Sequence, residues 1–319
     1  MINWGIIGLG KIAGRFSRSL AGFSDGKLYA VASHNAEKRK LFEEQFQPEK
    51  VYDDYQKLLD DEHVDIVYIA LPHKWHYRWI ISCLNSHKNV LCEKPAVVYS
   101  WQVEEIFALA KEKGCFYMEA MKSRCIPLCN DIKRILQEDQ LGKIRKMEVH
   151  FNMNATFPPE HYMREKEYGG CFYDTGCYGV SAICDYIQGE VENVEVQCEK
   201  HDGVDVHTTA TFRFDNGSRA TTESSTIAEE NVRFLLIEGS KGRLWADNYY
   251  RPQVVEVDGN QGSYRLEKPY GDDDFQFEIA HVHQCLKAGL ISSPLMDYAD
   301  SLRYVKLMEM VRKKIEEVQ

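Results

Sequence analysis

Along residues 1–120 the hydrophobic positions fall in short continuous runs separated by longer periodic stretches. The runs at 4–7, 28–32, 64–71, 89–92 and 115–118 are apolar and β-rich, and they predict strands. VDIVYIAL at 64–71 is nearly all apolar, as a strand covered on both faces requires. The clearest helical spacing lies at 102–113, where Val103, Ile106, Phe107 and Ala110 stand at i, i+3, i+4 and i+7. Asn35 is placed to cap a helix over 37–46, and Asp53 or Asp54 one over 55–59. Strands alternating with helices through short loops predict a parallel sheet of βαβ units.

The pattern changes after about residue 122. Segments 142–151, 191–201, 204–214, 218–226, 232–239, 242–246 and 253–257 read as strands with no helix between them. Asp215-Asn216-Gly217 predicts a hairpin between two of these. Two helices close the chain, at 273–289 and 298–317, the second with Leu302, Val305, Met308, Val311 and Ile315 on one face. The strand VRFLLI at 232–237 is apolar on both faces. With helices on one side of the sheet, either a second subunit or a buried loop would cover the other.

The 319 residues exceed the size, about 250–300 residues, at which one core stops growing. Two domains are expected: 1–121, an α/β domain with a parallel sheet, and 122–319, an α+β domain with a mostly antiparallel open sheet. Lys and Arg number 39 against 49 Asp and Glu, a net charge of −10. With no dense basic run, nucleic-acid and anionic-membrane partners are excluded. The opening residues read as a strand, and no apolar stretch nears 18 residues, so a cytoplasmic protein is expected. The ten cysteines contain no C-x-x-C pair and read as reduced apolar fillers. His73-x-x-His76 and His281-x-His283 lack the helical metal-pair spacing, and no metal is expected. Gly22-x-Ser24-x-Gly26 fits the hydrolase elbow, but it follows a helix and leads into a strand, so it reads as a turn.

Candidate chemistry begins at Gly8-x-Gly10-x-x-Ala13, which follows the first strand and opens the first helix. Gly8 permits a tight turn, Gly10 a close approach of pyrophosphate to backbone, and Ala13 close helix–strand packing. Gly8, Gly10, Lys11 and Ile12 are candidate cofactor residues, with the phosphate on amides at a helix N-terminus. No acid follows the second strand directly. Ser33, His34 and Lys38 stand there instead and suit a ribose 2′-phosphate, which favours NADP(H), with NAD the alternative. Ligands of open α/β sheets bind beyond the carboxyl ends of strands. Leu71, Pro72 and His76 leave one strand there, and Glu93 and Lys94 end the next. For His76 a local helix-start hydrogen bond is an equal reading. For Lys94 the alternative is a surface lysine made rigid by Pro95.

GLGKIA at 8–13, DIVYIALPHKWH at 65–76, EKP at 93–95, MEAMKSRCIP at 118–127 and GGCFYDTGCY at 169–178 occur in the order of one family. In these elements the chain resembles the glucose-fructose oxidoreductase / inositol dehydrogenase (Gfo/Idh/MocA) family. The resemblance implies a Rossmann domain, then a mostly antiparallel sheet domain that often pairs in a dimer. It also implies NAD(P)-dependent oxidation or reduction of sugars, polyols and related carbonyls. Tyr178 stands where many members have His, which is similar to the branch with dimeric dihydrodiol dehydrogenase and glucose-fructose oxidoreductase.

On this resemblance, Gly169 and Gly170 let the chain approach the cofactor site. Asp174 and Tyr178, at i and i+4, share a helix face. A free phenol has a pKa of about 10, and a neighbouring ammonium lowers it. Lys94 would supply that charge. Tyr178 would donate or accept the substrate proton, Asp174 would orient Lys94 or hold a substrate hydroxyl, and Arg124 would line the site. Loop 154–168 would supply pocket lining. The expected assembly is a homodimer or higher homo-oligomer through the C-terminal sheet. The alternative function is a dinucleotide-binding regulator without catalysis.

Overall fold

The computed structural model describes residues 1–318. The first stretch runs β1 (Ile2–Ile7), α1 (Lys11–Leu20), β2 (Gly26–Ala32), α2 (Ala36–Phe46), β3 (Lys50–Tyr52), α3 (Tyr55–Leu59), β4 (Ile66–Ile69), α4 (His76–Asn85), β5 (Asn89–Glu93), α5 (Ser100–Lys113) and β6 (Tyr117–Ala120). It continues through α6 (Pro127–Gln137), β7 (Ile144–Asn154), α7 (Cys177–Tyr186), β8 (Val191–His201), β9 (Val204–Phe214), β10 (Arg219–Ser225), β11 (Ile227–Gly239), β12 (Arg243–Asp247), β13 (Val254–Gly259) and β14 (Gly262–Glu267). Helices α8 (Phe275–Lys287) and α9 (Tyr298–Glu317) end the chain. The helix starts follow the sequence: Asn35 caps α2 by accepting from the Lys38 amide, and Asp54 caps α3 by accepting from Gln56. Among the described residues no helix is long and apolar enough to cross a membrane.

Six parallel strands form one sheet in the order β3-β2-β1-β4-β5-β6. The chain starts at the centre with β1, builds to one side, then returns to build the other, so β1 and β4 flank a topological switch point. All four residues of β4 are fully buried, in keeping with its apolar run. The short edge strand β3 was not anticipated, because three residues carry no readable period.

The chain divides into two compact units. The first holds 1–122 and also 272–302; the second holds 123–271 and 303–319. Residues 272–302 thus group with the parallel sheet, and not with the domain from 122 onward to which the sequence pattern assigns them. The reason is packing. Helix α8 lies against α1, and the Tyr117 amide of β6 donates to the Ile291 carbonyl. His283 of α8 receives a hydrogen bond from the Trp4 indole at 3.0 Å and meets Asp25 through its other nitrogen, also at 3.0 Å. It presses so close to Gly26 that a Cβ there would lie 2.5 Å from its ring. The Gly22–Gly26 run is therefore a turn shaped by α8.

At the start of α8, Asp274 is fully buried and bridges Arg15 at 2.5 Å and Lys122 at 2.6 Å. Both cations also lie over the Phe275 ring. One turn on, Glu278 is fully buried and neither of its carboxyl oxygens has a hydrogen-bond partner. Burial, and then the charge of Glu93, push this carboxyl well above the usual range, against the pull of Lys122.

The second unit carries an eight-stranded sheet, β14-β13-β12-β11-β7-β10-β9-β8, antiparallel except where β10 lies parallel to β7. Strands β9 and β10 form the expected hairpin at 215–217. Met147, Val149 and Phe151 of β7 point to the buried side, where α7 packs. His150 points the other way and stacks on Phe234, which stacks on Trp245, both at 4.4 Å, making an aromatic row across β7, β11 and β12. Val232, Phe234 and Leu236 stay half-exposed on that side, while Leu235 and Ile237 are buried.

The native protein holds a proton on Glu278 that the unfolded chain releases above about pH 4.3, so this group lowers stability as pH rises from there. Glu278→Gln is expected to remove that slope. Urea unfolding should show the variant more stable than wild type by about 1 kcal/mol or more at pH 8, with little gain at pH 4.5.

Candidate active site

In the first unit, Ile7, Ile69 and Cys92 lie in register across β1, β4 and β5, so the loops that follow these strands leave the sheet at one carboxyl edge. Gly8 has φ +91°, and a Cβ there would lie 2.5 Å from the Ala70 carbonyl oxygen. Only glycine fits. Gly10 is different: it is extended at φ −98°, and a Cβ added to it would meet nothing within 4 Å. The fold leaves space above the Gly10 backbone that it does not itself use. Gly10 caps α1, whose first-turn amides lack intrahelical partners, so this is an anion seat. A cleft of about 480 Å³ opens beside it, with Lys11, Arg15, Arg18 and Lys38 among its lining. These features fit a dinucleotide.

At the end of β2 the Ser33 hydroxyl accepts from the Asn35 amide at 3.2 Å. His34 is exposed, contacts the Asp53 carbonyl at 3.0 Å and packs its ring 4.4 Å from Tyr55. Arg39, which was not singled out from sequence, donates to the Ser33 carbonyl. Its position three residues into a helix gave no signal; only the turn of α2 back toward β2 brings it there. No carboxylate directly follows β2.

His76 is fully buried. Its Nδ1 lies 2.8 Å from the Pro95 carbonyl and its Nε2 2.7 Å from the Leu71 carbonyl. Burial lowers its pKa, so the neutral ring donates to one carbonyl at a time. The ring ties the loop after β4 to the loop after β5 and has no nitrogen left for a ligand. Glu93 accepts a short hydrogen bond from the Tyr68 hydroxyl and another from the Lys94 amide at 3.2 Å. Glu119 accepts from the Ala96 amide at 3.1 Å. Lys94 directly follows β5 at its carboxyl end, and the Lys94-Pro95 bond is cis.

In the second unit the Gly169-Gly170 pair has a reason internal to that unit. A Cβ on Gly169 would lie 2.5 Å from the Glu165 carbonyl oxygen. Gly170, at φ +92°, would put one 2.0 Å from Asp205. Asp205 is buried and accepts from the Phe172 amide at 2.8 Å. Both glycines are required by this close packing within the unit.

Residues Phe172–Gly176 form a π-helical turn that runs into α7. Extra-residue turns of this kind often occur at functional sites. Asp174 lies in that turn, where Tyr162 donates to its carboxylate at 3.0 Å. Tyr178 follows on α7, 7% exposed, its ring stacked 6.1 Å from Phe151 and tilted against Tyr250 at 5.2 Å. Tyr162, Phe151 and Tyr250 were not found from sequence. Phe151 reads as strand core, and Tyr250 comes from a loop about 70 residues away. Arg124 is 1% exposed; it pairs with Asp185 of α7 at 3.1 Å and donates to the Ser181 hydroxyl at 3.3 Å. These contacts hold α7 from inside the unit.

A parallel sheet with a switch point and an open glycine loop at its carboxyl edge define a dinucleotide-binding class of fold. Residues 2–121 match the model of an oxidoreductase family with an NAD-binding Rossmann fold, and 129–265 match the GFO/IDH/MocA C-terminal domain. The chain belongs to the Gfo/Idh/MocA family. It is 31% identical over 318 residues to trans-1,2-dihydrobenzene-1,2-diol dehydrogenase of Xenopus tropicalis, covering 96% of both chains. The Homo sapiens enzyme of the same name is 28% identical over 326 residues, covering 98% of this chain and 97% of that one. Among solved structures, a 3-ketoreductase from Actinomadura kijaniata with NADP and TDP-benzene superimposes with a TM-score of 0.87 at 27% identity, covering 98% of this chain and 97% of the other. Tyr→Phe and Lys→Ala variants of that ketoreductase have also been solved.

The two loop glycines separate fold from binding. Gly8→Ala is expected to cost about 2 kcal/mol or more of stability, read as a lowered urea midpoint. Gly10→Ala should unfold within about 0.5 kcal/mol of wild type. It should nonetheless lose roughly tenfold or more in NADPH affinity by fluorescence titration, since its methyl would fill the phosphate seat.

Proposed function

We propose that the protein is an NADP(H)-preferring oxidoreductase that interconverts a CH–OH group and a carbonyl on a sugar, polyol or dihydrodiol-like substrate. The observation that carries this reading is Tyr178, a phenol on the helix that follows the π-turn, in a chain similar over its whole length to dihydrodiol dehydrogenases. The dinucleotide supplies or takes the hydride when bound. Tyr178 delivers a proton to the substrate carbonyl oxygen, or takes it in the other direction. Lys94 supplies the positive charge that favours the phenolate. Asp174, already accepting from Tyr162, holds a substrate hydroxyl or orients Lys94. Glu93, braced by Tyr68, and His76, braced between two carbonyls, position the Lys94 loop.

The cofactor preference rests on the missing acid after β2 and on Ser33, His34, Lys38 and Arg39 around that strand end. The half-exposed face of the second sheet, with Phe234 and Trp245 at its centre, supports a homodimer formed through that sheet. The ten cysteines, nine of them buried and none in a disulfide, suit a reducing cytoplasm.

The test is nicotinamide absorbance with a panel of sugars, polyols, dihydrodiols and dicarbonyls. Wild type should turn over at least one of them faster with NADP(H) than with NAD(H). Tyr178→Phe and Lys94→Ala should each lose about 100-fold or more in kcat, the usual size of a general acid–base contribution. Full activity in both variants removes the mechanism. NADPH binding with no turnover across the panel supports the regulator in its place.

A further inference from the structure

The side of the second sheet that carries Tyr178 also carries a cation with nothing to bind. Strand register pairs Arg233 of β11 with Phe151 of β7, so both side chains leave the sheet on one face. The Arg233 guanidinium carbon stands 4.9 Å over the Phe151 ring. Phe151 in turn stacks with Tyr178, and Tyr250 packs 4.8 Å from Phe151 and 5.2 Å from Tyr178. A second cation, Arg251, lies 5.4 Å over Tyr250. Three aromatic rings and two guanidinium groups therefore form one continuous wall.

Arg233 is half-buried, its Nε has no hydrogen-bond partner, and no acidic side chain pairs with it among the described residues. A buried donor without a partner is costly to stability. Folded proteins leave few of them, and each needs an explanation. Arg124, by contrast, has a carboxylate partner in Asp185. The planar fork of guanidinium matches the paired oxygens of carboxylate and phosphate. Ring faces beside it suit the C–H faces of a sugar or polyol skeleton.

We propose that Arg233 is a specificity-determining residue that binds an anionic group of the substrate, so that the natural substrate is an acidic sugar or polyol carrying a carboxylate or a phosphate. Arg233 binds the oxyanion, Arg251 adds charge to the same wall, and Phe151 and Tyr250 hold the carbon skeleton beside Tyr178. This rests on the reading of Tyr178 as the proton donor.

The test is direct binding by calorimetry to protein saturated with NADP+, using D-glucuronate, D-glucose 6-phosphate and D-glucose. At least one acidic sugar should bind roughly tenfold or more tightly than glucose, and the two acids distinguish carboxylate from phosphate. Arg233→Ala should bring the acids to the glucose level, and Arg233→Lys should keep part of the preference. Thermal unfolding checks that each variant is folded, and Arg233→Lys carries the test if the alanine variant is not. Tyr178→Phe should keep the preference, so loss of turnover and loss of anion binding are separate outcomes. No preference in wild type, or a preference unchanged in the Arg233 variants, overturns the proposal.

Discussion

Gly8 sits against the Ala70 carbonyl with no room for a side chain, and the first unit is organised around that contact. It lets the chain leave β1, turn beside the end of β4 and enter α1 within three residues. The turn aims the free amides of α1 over the carboxyl edge of the sheet. Gly10 then keeps the space above them open. The two glycines differ in role: one is required by the protein's own backbone, the other by the space it leaves open.

The same unit depends on a helix that arrives from far along the chain. Helix α8 places Asp274 between Arg15 and Lys122 in the interior, where a charge survives only when paired. Arg15 belongs to α1 and Lys122 follows β6, so one carboxylate ties together both ends of the unit's sequence. Glu278, one turn further on, remains unpaired and must stay neutral to remain buried.

In the second unit, close packing at glycines does the work that side chains do elsewhere. Gly170 meets Asp205, and Gly179 comes so near β10 that a Cβ would lie 2.0 Å from the Thr222 hydroxyl. Helix α7 is thereby pressed onto the sheet, with Arg124 holding its far side through Asp185. The π-turn before it carries Asp174 and leads to Tyr178 against Phe151 and Tyr250.

By itself the sequence determined the parallel sheet, the order of most strands, the hairpin at 215–217 and the glycine loop, because hydrophobic period and turn chemistry are local properties. It also carried the caps at Asn35 and Asp54 and the spacing of Asp174 and Tyr178. Short edge strands such as β3 and β14 escaped it, since a few residues show no period. Only the tertiary structure decided that residues 272–302 pack with the first unit, that Arg124 and His76 spend their hydrogen bonds internally, and that Gly169 and Gly170 answer to neighbouring backbone and Asp205. Those outcomes depend on which distant atoms come within about 3 Å, and no pattern along the chain encodes such contacts.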